Sequence, residues 1–118
     1  MKIITTVALV LAFLSWCEAG NEVIQYAKVR DVQSLSGVVA DSSGAPIAGA
    51  IVCEMSGGWK TQLGCTETDP QGRWSLKPIG KAKTYEIRFA KGGFHQVWMR
   101  LRLRPSAKPF TIEMPVAT

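Results

Sequence analysis

The sequence predicts an all-β domain, a seven-stranded antiparallel sandwich. Three observations predict it. Strand-length runs alternate apolar and polar residues, turn signals separate them at roughly 10–15-residue spacing, and helical periodicity is almost absent.

The strands follow an apolar leader. Lys2 precedes the run Ile3–Trp16, which is shorter than the roughly 20 residues of a spanning helix but suits the central part of a secretory signal. Cys17–Ala19 then offers a small-residue cleavage site, with the cut expected after Ala19. A lipoprotein signal acylated at Cys17 is the competing reading, although the bulky Trp16 stands where such signals take a small residue. An uncleaved membrane anchor competes too, against the shortness of the run. Residues 1–19 are thus expected to be a signal peptide, 20–33 a lead-in and 34–118 the domain. The expected location is secreted or periplasmic. No later segment is apolar enough to span a membrane.

Within the lead-in, "NEVIQYAKVRDVQ" (Asn21–Gln33) admits either a short helix or an extended approach to the first strand. "SLSGVVA" (Ser34–Ala40) is the first strand, and "DSSGAPIAG" after it holds turn formers. "AIVCEMS" (Ala50–Ser56) puts Ile51, Cys53 and Met55 on one face and Val52 and Glu54 on the other. "GGW" makes a loop, and "KTQLGCTET" returns with Leu63 and Cys65 on one face. "DPQG" (Asp69–Gly72) is a tight turn in which Pro70 fixes φ. "RWSLKP" turns Trp74 and Leu76 inward, and "KTYEIRFA" sets Tyr85, Ile87 and Phe89 against Glu86 and Arg88. "FHQVWMRLRL" and "FTIEM" complete the set.

Charge and cysteines narrow the chemistry. The net charge is +5, and ten of the basic residues lie between Arg73 and Thr118, against Glu86 and Glu113 alone. Such a field favours acidic surfaces or polyanions without bearing on the fold. Removing Cys17 with the leader leaves Cys53 and Cys65. In an exported chain they read as a disulfide, as two free buried thiols, or as half a metal site. The metal reading lacks partners, since His95 is the only histidine and structural zinc takes four ligands. Folding the second strand back on the third about Trp59 brings Cys53 level with Cys65, which favours the bridge.

Taken together, "SGVVADSSGAPIAGAIV", "TETDPQGRWSL" and "YEIRFAKGGF" resemble the carboxypeptidase regulatory-like domains, members of the transthyretin-like (prealbumin-like) group. The residues that carry the resemblance are Gly37, Val39, Asp41, Gly44, Pro46, Gly49, Ala50 and Val52, then Thr68, Asp69, Gly72, Trp74 and Leu76, then Tyr85, Ile87, Gly93 and Phe94. The resemblance implies a Greek-key, transthyretin-like sandwich. Asp41, Gly44, Pro46, Asp69 and Gly72 read as structural turn residues, because carboxylates accept turn N–H groups and glycine takes positive φ. Trp74 fills the aromatic core slot of the group.

Enzymes of related sandwich fold make poor matches. Transthyretin-like hydroxyisourate hydrolases resemble the fold but end in Tyr-Arg-Gly-Ser, whereas this chain ends in "EMPVAT". Intradiol dioxygenases hold iron with two tyrosines and two histidines, and this chain has one histidine. His95 reads as a surface or hydrogen-bonded residue. Glu54 and Glu67, expected to face each other across the hairpin, read as solvated carboxylates. The sequence therefore implies a non-catalytic module with no cofactor and no metal. A protein partner is expected, with a polyanion (glycan, anionic lipid or nucleic acid) as the alternative. The candidate face is Trp98, Arg100, Arg102, Arg104 and Arg88. In "WMRLRLRP" (Trp98–Pro105), Val97, Met99, Leu101 and Leu103 share the parity expected to face the core. Trp98 and the arginines face outward, so neighbouring carboxylates or an external anion should accompany them.

Overall fold

The structure, a computed structural model, describes residues 22–117. The leader and its expected cleavage site lie outside the described residues. Among the described residues there are nine strands rather than seven: β1 (Ile24–Gln25), β2 (Arg30–Val32), β3 (Ser36–Ala40), β4 (Ile51–Ser56), β5 (Thr61–Glu67), β6 (Arg73–Ser75), β7 (Tyr85–Ala90), β8 (Val97–Leu103) and β9 (Thr111–Glu113). The two extra strands come from the lead-in, which is extended and not helical.

The strands form two sheets, one in the order β1-β8-β7-β4-β5 with β2 also on β8, the other β6-β3-β9. The sandwich is not wholly antiparallel, since β1 and β2 run parallel to β8 and β3 runs parallel to β9. The connections explain this. Strands β2 and β8 end at the same pole of the larger sheet and cross there to the smaller one. The strands that follow them, β3 and β9, must therefore run the same way.

The alternation read in the sequence decides what is buried. Val52 of β4, Ile87 and Phe89 of β7, and Val97, Met99 and Leu101 of β8 meet Val39, Trp74 and Ile112 of the smaller sheet. At the centre the Trp74 ring stands edge-on to Phe89 at 5.4 Å and to Phe110 at 6.4 Å. Such edge-to-face pairs add to burial by setting positive ring edges against negative faces. The Trp74 indole N–H is buried and has no hydrogen-bond partner among the described residues.

Two expectations about faces are corrected. Leu103 is 41% exposed: β7 begins at Tyr85, which pairs with Leu101, so Leu103 extends beyond β7 and has a strand neighbour only on its other side, Val32 of β2. Leu63 does not share a simple alternation with Cys65. Glu54 pairs with Gly64 and Met55 with Gln62, so Leu63 is the extra residue of a bulge.

The turns are built as the motif chemistry requires. Asp41 Oδ1 accepts the N–H groups of Ser43 (2.9 Å) and Ala45 (3.0 Å) and the Ser43 hydroxyl (2.7 Å). These bonds, the hydroxyl first, hold its carboxyl below the usual carboxylate range. Asp69 Oδ1 likewise accepts the N–H groups of Gln71 and Arg73, both at 2.9 Å. Gly72 sits at φ 74° against the Val39 carbonyl and Pro46, where any side chain would collide. Buried Thr68 closes this end of the sandwich: its hydroxyl donates to the Ile47 carbonyl (2.6 Å) and accepts the Ala50 N–H (2.8 Å).

Candidate binding face

The sequence row Trp98, Arg100, Arg102 lies on the outer face of the six-stranded sheet, because period-two alternation leaves that face to residues opposite in parity to the core. Register then fixes its neighbours. Arg88 lies beside Trp98, Glu86 beside Arg100, and Asp31 of the lead-in beside Arg102. Arg88 donates to Gln62 Oε1 at 2.7 Å. Arg100 stands 3.8 Å from Glu86, while Asp31 takes Arg102 at 2.8 Å and Arg104 at 3.5 Å. The hydrogen bond from Arg102, then the charges of Arg102 and Arg104, hold the Asp31 carboxyl below its ordinary range. Glu86 and Asp31 therefore pair with Arg100, Arg102 and Arg104 across the strands, while Arg88 meets the neutral Gln62 amide.

What completes the face is Trp59, which sequence reasoning read only as part of a loop. Gly57, Gly58 and Trp59 have φ of 68°, 70° and 71° in succession. Left-handed backbone is cheap for glycine but strained for tryptophan. The strain is held by tertiary contacts. The Trp59 backbone N–H donates to Glu86 Oε1 at 3.0 Å, and the ring stacks on Trp98 at 5.1 Å. The Arg100 guanidinium lies 5.8 Å from the Trp59 ring centre on this face. The only sequence signal was the "GG" pair, which frees the loop to fold back over the sheet.

Beside this cluster Cys53 and Cys65 pair directly across β4 and β5 and are joined by a disulfide, with Cα atoms 4.0 Å apart. Cys53 is buried and Cys65 is exposed.

A family pattern, the carboxypeptidase regulatory-like domain, matches residues 34–115. The chain belongs to the carboxypeptidase regulatory-like domain family. Such domains are non-catalytic β-sandwich modules. The matched stretch begins after β2, so the strands that bring Asp31 to the arginine row lie outside it. Among solved structures the domain is similar to 3-chlorocatechol 1,2-dioxygenase from Rhodococcus opacus 1CP, at 12% identity and a TM-score of 0.43. That alignment covers 82% of this chain and 64% of the dioxygenase chain, so the chain spans less than two thirds of that protein. No curated protein matches the chain.

The remaining chemistry-bearing residues of this regulatory-like domain are placed singly. His95 lies at the opposite end of β8, where its Nδ1–H donates to the Glu22 carbonyl at 2.9 Å. Among the described residues no three of His, Cys, Asp and Glu are gathered as a metal shell would require.

Glu54 and Glu67 do not face each other, since Glu67 pairs with Ile51 and Glu54 with Gly64. Glu54 is also not solvated. It is 2% exposed and accepts the N–H groups of Ile79 (2.8 Å) and Gly80 (3.0 Å), pinning the β6–β7 connection. Glu54→Ala should cost about 1–3 kcal/mol by leaving those two donors unsatisfied. Glu54→Gln, which keeps one oxygen acceptor, should cost less than half of that. Urea unfolding of the two variants checks the order.

Proposed function

We propose that this protein is an exported, non-catalytic β-sandwich module that binds a protein partner, in the periplasm or outside the cell. The outer face of the six-stranded sheet makes the contact. The observation that carries the reading is the Trp59–Trp98 stack, half-exposed and flanked by Arg88 and Arg100. Tryptophan and arginine dominate the energetics of protein interfaces, and a rigid aromatic pair loses little entropy on binding. Pairing of the arginines with Glu86 and Asp31 favours a partner of mixed charge over a uniform polyanion at this face. The disulfide suits an oxidising compartment.

The test places a photocrosslinking amino acid at Arg88 and maps the adduct in the native envelope. One protein species should be captured at that position, and Trp98→Ala should weaken its equilibrium binding by at least about tenfold. Binding untouched by Trp98→Ala and Arg100→Ala, or no protein adduct together with turnover of a substrate by the domain, would overturn the reading.

A further inference from the structure

Strand direction sorts the loops into two poles. Strands β2, β4, β6 and β8 end at one pole, and β3, β5, β7 and β9 begin there. That pole is built from the connections 33–35, 57–60, 76–84 and 104–110. They carry Lys60, Lys77, Lys81, Lys83, Arg104 and Lys108, every one exposed, and not one aspartate or glutamate. The connections at the other pole, 41–50, 68–72 and 91–96, hold Asp41 and Asp69 against Lys91. Arg104 shares Asp31 with Arg102. Among the described residues no carboxylate lies within ion-pair distance of the five lysines.

The same pole carries apolar side chains that the core did not take. Ile79 is 64% exposed and Leu103 41%, and Pro78, Pro105 and Pro109 of the same pole's connections are exposed too. The β6–β7 connection bearing Ile79, Lys81 and Lys83 is not loose at its base, because buried Glu54 holds the N–H groups of Ile79 and Gly80.

We propose that this basic pole docks the domain on an anionic lipid surface. Lysines set the charge, and the Ile79 and Leu103 side chains enter the boundary between headgroups and acyl chains. Three features select lipid over the other polyanions. Five of the six cations are lysines, compact point charges suited to a fluid array of headgroups, whereas nucleic acid recognition draws on the planar arginine fork. Single-stranded nucleic acid is also held by stacking on aromatic platforms, but the nearest indole, Trp59, is turned onto the sheet face. Finally, exposed isoleucine and leucine among cations gain nothing from a hydrated polysaccharide, while an interface buries them.

The pole adjoins the Trp59–Trp98 face at the 57–60 loop and at Arg104. Lys77, Lys81, Lys83, Lys108, Ile79 and Leu103 lie outside that face, so variants at these positions and at Trp98 let the two readings fail independently. The experiment is co-sedimentation of the purified protein with vesicles of phosphatidylcholine alone or with added phosphatidylglycerol. The pure phosphatidylcholine arm also registers any insertion by the apolar run Ile3–Trp16. Binding should need phosphatidylglycerol and should fall at least about tenfold between about 0.05 M and about 0.5 M salt, as the screening length contracts. Lys81→Glu with Lys83→Glu should abolish it, and Lys77→Glu with Lys108→Glu, both outside the 81–83 stretch, should do the same should the first pair misfold. Ile79→Ser with Leu103→Ser should weaken vesicle binding several-fold while leaving retention on heparin unchanged. Trp98→Ala should leave vesicle binding intact. Equal binding to both vesicle types, indifference to the lysine reversals, or heparin and vesicle binding that respond alike to the Ile79 and Leu103 changes would overturn the proposal.

Discussion

Phe89→Ala should remove about 3–5 kcal/mol of stability, a large share of the roughly 5–15 kcal/mol that holds a small domain folded. The side chain is fully buried in β7, between β4 and β8. It packs edge-on to Trp74 and, tilted, against Phe110 at 6.5 Å, so its loss opens a cavity shared by both sheets. The walls of that cavity cannot collapse easily. Val52 and Val97 flank Phe89 across the strands and are themselves fully buried, held in register by their own ladders. Urea unfolding should show a midpoint shift with an unchanged slope. A loss under about 1 kcal/mol would mean that Trp74 or Phe110 moves in to refill the space.

Replacing Cys53 and Cys65 together by alanine should cost about 3 kcal/mol, the chain-entropy value for so short a loop. In a domain of this size that lowers the melting temperature by about 10–20 °C. The bridge spans 12 residues and ties the hairpin whose loop carries Trp59. Calorimetry with and without a reductant isolates the bridge. Reduction should lower the melting temperature of the native protein and leave the double variant unmoved. A native protein insensitive to full reduction would show that the β4–β5 ladder alone restrains the hairpin. Cys65 is the exposed residue of the pair and Cys53 the buried one, so a reductant approaches the bridge from the β5 side.

The arginine row shows what a single sequence can and cannot reveal. Alternation along β8 is clean, so the outward parity of Trp98, Arg100 and Arg102 was legible. Their partner Asp31 was not, because it reaches Arg102 from 71 residues away on a strand that parallels β8. Two- and three-residue strands such as β1 and β2 are too short for a period to register. Leu63 defeats period counting differently, since one extra residue at a bulge reverses every face assignment beyond it. For Glu54 the parity was right and the environment wrong. Alternation places it with Val52, but only the course of the β6–β7 connection reveals that its carboxylate is buried beneath Ile79 and Gly80. Trp59 was legible as a loop residue and illegible as part of a face, because its place depends on contacts with Trp98, Glu86 and Arg100 on three other segments.

The parallel lead-in has a consequence for handling the domain. Ile24 pairs with Val97, and Val116 with Phe94, so the first and last described strand contacts both fall at the start of β8. Both termini of the described chain therefore leave from one side of the molecule, the side away from the lysines. A tag, a fusion partner or a chip linkage at either end would orient every copy alike, with the Lys81–Lys83 loop pointing into solution. The same closeness of ends lets the whole sandwich be spliced into a surface loop of a host protein without threading through it.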